Sequence, residues 1–327
     1  MIIDYRSDEY RTEGFIQYVK HAKSTWDIDP STLIIPHLFD IYKLDREQRY
    51  WFCFLYRTTY STPGAYQIFK KFPDPHNIDQ VLFKKWYLDN LKHIPISHDR
   101  WRQKYQNPDA VSRYLELSKN SQHEFFMNHL PQNDKDPIKN FHNIWEVLHT
   151  IPSFGLVTNF NYCETLNRIM HLNIDTDTMF FPTHWKPMKG ANFIYNGLIE
   201  GADPVLLEQV AKELLVKTNK QISINNLLLG RCLCLYAGLV IGNRYYGYYY
   251  DRNLEECTKL AKIEPELSNE IMKIRQKIAP KHLLGELNDW SGRRKHLLKV
   301  FQQTGQLANI DYYPTQNNPY NAIPQIL

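Results

Sequence analysis

At 327 residues and 43% apolar content, the chain has ample length to bury a core, as one large domain or two modest ones. No run of about 18 apolar residues occurs, so no membrane span is expected, and the opening MIIDYRSDEYR does not read as a signal peptide. A formal net charge of +4 and a pI near 8.6 permit a nucleic-acid partner without requiring one, so a local patch matters more than the total.

The aromatic share is high at 14%, with 22 Tyr and 7 Trp, and only 13 Gly are present. Scarce glycine and long stretches without proline favour helices over hairpins. Residues 1–45 mix charges and aromatics, with Pro30 and Pro36 as expected breaks. REQRYWFCFLYRTTY, from Arg46 to Tyr60, is apolar around most of a helix, with Phe52, Leu55, Tyr56 and Tyr60 on one face. Ser61-Thr-Pro-Gly64 punctuates it and opens another helix, since Pro suits a first turn. Helices are expected near 79–93 and 108–130, the latter capped by Asn107 or Asp109. NDKDP at 133–137 is a polar loop. A helix is expected over 138–150, with Ile144, Val147, Leu148 and Ile151 on one face, and a second covers about 156–171. The stretch 173–192 reads as irregular. Asp203-Pro204 has the form of an N-cap with Pro at the first helical position, and Ser223 is a candidate cap for an apolar helix to 238. Further helices are expected at 254–262, 265–278 and 291–304, and Asp311 onward reads as an extended arm. The fold class is therefore all-α: a single helical domain over 1–310, divisible into two lobes, followed by an arm over 311–327.

The five cysteines, Cys53, Cys163, Cys232, Cys234 and Cys257, show no framework spacing. Reduced thiols in a cytosolic setting are expected. Cys232 and Cys234 lack a second pair and sit about 200° apart on a helix, so no zinc site is expected. The chain contains no His-Glu-x-x-His, phosphate loop or dinucleotide fingerprint. Nothing in it calls for a metal or a cofactor.

Two stretches carry candidate chemistry. In LHTIPSFGLVTNF, from Leu148 to Phe160, a helix meets Ile-Pro, passes Phe-Gly and resumes as a helix. The glycine is expected to permit a sharp turn. The second helix starts with N–H groups that have no partner within the helix, at the positive end of its dipole, which suits a phosphate. Ser153, Phe154, Gly155 and Val157 are the expected amide donors to a DNA backbone. The same pattern also fits an αα-hairpin that merely packs. In the second stretch, Arg244-Tyr-Tyr-Gly-Tyr-Tyr-Tyr-Asp251-Arg252, five tyrosines are flanked by cations and a carboxylate. Tyrosine faces stack on bases, at roughly 1–3 kcal/mol each in single-stranded sites, and arginines fork onto phosphates. A Tyr-rich packing strip with Arg–Asp pairs is the plainer reading. Lys189 in KPMKGAN and the basic cluster SGRRKH, with Arg293 and Arg294, are secondary candidates for phosphate contact.

The corner, over 143–171, resembles the helix–hairpin–helix of the DNA glycosylase superfamily. In that superfamily a functional Asp follows the hairpin, and in HLNIDTDTMFF Asp175-Thr176 falls at that spacing with Asp177 beside it. Bifunctional members carry a nucleophilic lysine where this chain has Val157, so a Schiff-base lyase is not expected; a monofunctional glycosylase using Asp175 stays open. The Tyr/Arg block, the aromatic stretch YWFCFLYRTTYSTPGAYQIFKKFPD, IPSFG and the IDTD pair together resemble the bacteriophage amino-acid:DNA transferases, also called α-glutamyl/putrescinyl thymine pyrophosphorylases. That resemblance implies transfer of an amino acid or polyamine onto phosphorylated or pyrophosphorylated 5-hydroxymethyluracil in phage DNA, in the cytoplasm of an infected bacterium. Arg244, Arg252 and Lys189 would then take the leaving group, and Tyr245, Tyr246, Tyr248 and Tyr249 would stack a flipped base. Asp175 or Asp177 would accept a proton from the amine or bind its ammonium form, and in the tyrosine block Asp251 or Glu255 is a further candidate to serve as a base or orient an amine. A DNA-binding protein without catalysis is the remaining alternative.

Overall fold

The computed structural model describes residues 4–119, 121–130, 135–197, 201–240 and 244–284. Among these are fourteen α-helices and no strand, so the fold is all-α. In chain order the helices are α1 (Arg11–Thr25), α2 (Ser31–Ile41), α3 (Arg46–Thr59), α4 (Thr62–Lys71), α5 (Gln80–Asn90), α6 (Asn107–Ser118) and α7 (Gln122–His129). They continue as α8 (Pro137–Leu148), α9 (Leu156–Ile169), α10 (Trp185–Asn196), α11 (Pro204–Asn219), α12 (Asn226–Val240), α13 (Tyr248–Ala261) and α14 (Pro265–Ile278). The chain divides into two compact units, one of residues 1–30, 177–254 and 279–327, the other of 31–176 and 255–278. The expected helix at 291–304 and the arm from Asp311 lie outside the described residues.

The first unit gathers α1, α10, α11 and α12 around Tyr236. Its ring meets Phe15 and Tyr18 at 5.4 Å and Phe193 at 6.0 Å. Helices α10 and α12 cross almost backbone to backbone at Gly190, where a Cβ would stand 2.2 Å from the Leu233 carbonyl oxygen. Lys189-Gly190 is therefore no loop open to a phosphate. The expected irregular stretch ends at His184, and residues from Trp185 on are helical. Pro187 lies in the first turn of α10, where the N–H it lacks has no helical acceptor in any case.

The second unit is built around α3, buried on every side from Tyr50 to Thr59. Phe54 lies face to face with Tyr114 at 3.8 Å and stacks on Phe154 at 5.2 Å. Asp45 and Gln48 close a capping box on α3, and the Ser61 side chain accepts from the Gly64 amide at the start of α4.

Several boundaries differ from expectation. Pro36 lies inside α2 rather than breaking it. The expected helix over 108–130 is two: Lys119 at φ 42° ends α6, and Ser121 caps α7. Glu47 accepts the Gln122 and His123 amides as well, at 2.6 and 3.0 Å, so a distant carboxylate makes the break favourable. Neither Asn107 nor Asp109 caps α6. Asn107 donates to the Thr58 carbonyl and to Tyr87, while Asp109 pairs with Lys84. Asn225, not Ser223, accepts the Leu228 amide in the first turn of α12. Helix α13 starts at Tyr248 instead of 254, which places part of the tyrosine block in a helical turn.

Candidate functional site

The corner between α8 and α9 rests on buried anchors. Ile151 and Phe154 are both 2% exposed, and Phe154 contributes its ring to the aromatic stack of its unit. The Asn159 side chain donates to the Phe154 carbonyl at 2.9 Å. Beneath the turn lies Arg100, whose guanidinium donates to the Ser153 carbonyl (3.0 Å), to Ser153 Oγ (3.1 Å) and to Thr158 Oγ1 (2.8 Å). Burial lowers the pKa of Arg100 to about 10, which leaves it cationic at neutral pH.

The sharp turn itself belongs to Ser153, at φ 65°, not to the glycine. Gly155 takes ordinary extended angles, φ −71° and ψ −179°, as the N-cap of α9. A Cβ there would meet nothing within 4 Å, so what the glycine supplies is open space. Gly155 has no side chain to cap α9, so among the described residues the first amides of the helix keep no acceptor. Phe154 drops out of the expected donor set, since its N–H is spent on the Ile151 carbonyl at 3.1 Å. Val157 is 49% exposed in the first turn of α9. Asp175 belongs to the same unit, and its own N–H donates to the Pro137 carbonyl at the start of α8 (3.0 Å). The side chain of Asp175 is half-buried; Asp177 falls in the other unit and is exposed.

In the first unit the tyrosine block is sorted by burial. Tyr245 and Tyr246 are 3% and 2% exposed and Tyr250 is fully buried, whereas Tyr248 and Tyr249 are half-buried. Tyr246 packs in the core against His21, and Tyr245 donates its hydroxyl to Asp251 at 2.7 Å. Tyr245 and Tyr246 thus have no face free for a base. Asp251, fully buried, serves as the acceptor for Tyr245 rather than as an open base. The guanidinium of Arg244 lies over the Tyr248 ring at 4.2 Å, and Arg231, Arg244 and Arg252 approach the Tyr249 ring at 6.0, 5.8 and 6.0 Å. Arg244 is placed by its backbone, which donates to the Gly238 carbonyl at 3.0 Å. Its side chain runs over Gly238, where an added Cβ would come within 2.5 Å of Cγ. Lys189 is exposed on α10, with its ammonium 5.6 Å from the Trp185 ring. Arg293 and Arg294 lie outside the described residues.

Sequence reasoning missed the segment that carries this block. Thr25 to Asp29, at the end of α1 and before α2, reaches the block at two points and Arg231 of α12 at a third. The carboxylate of Asp27 accepts the Gly247 amide, at a residue whose φ is 89°. The carbonyl of Thr25 accepts the Tyr250 hydroxyl at 2.7 Å. Arg231 donates to the Ile28 carbonyl at 3.3 Å and lies 3.6 Å from Asp29. Burial raises the pKa of Asp27, while His21, 3.2 Å away, and the amides of Gly247 and Tyr249 oppose the rise. The only signal in the sequence was a pair of aspartates in WDIDP. Arg100 was missed as well, in a stretch with no apolar period.

Among the described residues no group of three or more His, Cys, Asp or Glu is placed to hold a metal ion. None of their helices is long and apolar enough to cross a membrane. No curated protein matches the chain. A family model described as amino acid:DNA transferase matches residues 24–236, which takes in the corner, Asp175, Asp177 and the Thr25–Asp29 segment but stops short of Arg244. The chain therefore belongs to the amino acid:DNA transferase family, whose members are transferases acting on DNA.

Proposed function

We propose that the protein hypermodifies thymine in phage DNA, moving an amine or amino acid onto phosphorylated or pyrophosphorylated 5-hydroxymethyluracil. The amine nitrogen attacks the methylene carbon on C5 of the ring. The carbon–oxygen bond breaks, phosphate or pyrophosphate leaves with the electron pair, and the new ammonium gives up a proton. The observation that carries this reading is Arg244 on Tyr248, with Arg231 and Arg252 also converging on Tyr249. Half-buried rings suit the flat face of a flipped base. Fixed guanidiniums suit the anion that develops as the bond breaks. Arg244 and Arg252 take the leaving group, with Lys189 a further cation. Asp177, in the same unit as the block, accepts the proton. The corner holds the strand through the amides of Gly155 and Val157, with Ser153 shaping the turn, as a helix–hairpin–helix would. Such contacts position DNA without reading its sequence.

A second reading has its own observation. Asp175 is tied through its backbone to the first residue of α8, so the carboxylate and the corner share one frame, as a monofunctional glycosylase requires. Mass spectrometry of nucleosides separates the two, after the protein is incubated with phosphorylated 5-hydroxymethyluracil DNA and a mixed pool of amino acids and polyamines. The transferase leaves the strand intact with a heavier base and free phosphate or pyrophosphate. Abasic DNA with a released base would replace our reading by the glycosylase.

A further inference from the structure

The segment His98–Gln106 carried no expectation from sequence, yet it is the element bound to the underside of the corner. Its nine residues, HDRWRQKYQ, form a 3-10 helix. With three residues per turn, side chains three apart stand in line. One row starts with Arg100, 4% exposed and committed to Ser153 and Thr158 as described above. The other two rows are His98–Trp101–Lys104 and Asp99–Arg102–Tyr105. Trp101 is 48% exposed and Tyr105 64%. The ammonium of Lys104 lies 3.2 Å from the centroid of the Trp101 ring and 5.1 Å from that of Tyr105. Arg102 is exposed beside them.

A short helix that locks one arginine into the fold and shows two large rings with two cations is poorly explained by packing. Two open aromatic faces and interleaved cations are the chemistry that nucleic acid takes: rings for bases or sugars, ammonium and guanidinium for phosphates. A protein partner would want a broader apolar surface with fewer charges at its centre. We propose that His98–Gln106 is a DNA-contacting arm of the corner, in which Trp101 and Tyr105 pack on the nucleotides flanking the target and Arg102 and Lys104 hold the neighbouring phosphates. Arg100 is the positioning residue that sets the arm and the turn at Ser153 in one register. The inference rests on the reading of the corner as a DNA grip, and extends it from backbone amides to side chains.

The test is a titration of the full chain against a fluorescein-labelled duplex containing 5-hydroxymethyluracil, read by anisotropy at several salt concentrations. Trp101→Ala raises Kd about five- to ten-fold. Arg102→Ala raises Kd and makes the slope of log affinity against log salt shallower by about one. Both positions are exposed, so melting temperature stays at the wild-type value and a folding defect is separable. Wild-type Kd and salt slope in both variants would overturn the arm. Val157→Glu, measured alongside, reports on the corner independently. If it weakens binding while the arm variants do not, the arm alone is wrong; if it too binds as wild type, the corner reading falls as well.

Discussion

The corner at Ile151–Thr158 and the block at Arg244–Arg252 are built by opposite means. The corner offers backbone: amides at the start of α9, opened by a glycine and set on a floor of aromatic rings and one buried arginine. The block offers side chains: guanidiniums over half-buried tyrosines, placed by a glycine upstream and by an aspartate far away in sequence. Backbone amides are supplied by any residue, so a grip tolerates change at most side chains. Charge stabilisation needs particular groups at particular distances. The family match spans the corner and ends before the block. Loss of chemistry with DNA binding retained, and the reverse, should therefore be separable by substitution.

The largest effect is expected at Arg244. Arg244→Ala should lower the rate of amine transfer on phosphorylated DNA about 100-fold or more, as removal of a preorganised oxyanion donor does, with little change in duplex affinity. Full transfer by this variant would take Arg244 out of the chemical step and leave the block as packing. Gly238→Ala tests the same residue from behind. The new Cβ collides with Arg244 Cγ, near the base of a side chain that cannot swing clear without the backbone. A fall of about ten-fold in transfer is expected, following the principle that a small misplacement costs much of the advantage of a held geometry. If Gly238→Ala transfers normally, the position of Arg244 is not critical.

At the corner the expected loss is smaller and of another kind. Val157→Glu puts a carboxylate in the first turn of α9, which the helix dipole tolerates but a phosphate does not. Duplex Kd should rise about five-fold, with the transfer rate at saturating DNA unaffected. A lowered saturating rate would mean that the corner takes part in the chemistry and would blur the distinction between the two regions.

Burial pushes His184 down to about 4, so the folded chain keeps it neutral where the unfolded chain, with an ordinary imidazole near 6.5, takes up a proton. Its contribution is fully present above about pH 6.5 and is lost as pH falls toward 4, worth up to about 3 kcal/mol over that span. His184→Gln should flatten the decline of the denaturation midpoint between pH 6.5 and 4. An unchanged pH profile would show that His184 titrates normally in the fold.

Much of the helical order was legible because its signals are local. The apolar run in α3, the Asp203-Pro204 start of α11 and the corner itself depend on residues within a turn or two of one another. Two of the misreadings share one cause, contacts from far away. The carboxylate of Glu47 breaks 108–130 in two, and the close crossing at Leu233 turns Lys189-Gly190 into helix. Arg100 is invisible in sequence because HDRWRQKYQ shows no apolar period and folds as a 3-10 helix, and because its acceptors at Thr58, Ser153 and Thr158 lie forty residues or more away.

Helical character, a glycine-ended corner between two helices and the crowding of tyrosines and arginines in one short stretch are all legible in the chain's own residues. These follow from periodicity and residue chemistry, which neighbours in the chain decide. Which tyrosines keep an open face, that Ser153 and not Gly155 makes the turn, and that Asp27 holds Gly247 across 220 residues emerge only once the chain is folded. Burial and hydrogen-bond pairing depend on what packs from elsewhere. No local pattern in five nearly consecutive tyrosines distinguishes the two that remain half-open from the three in the core.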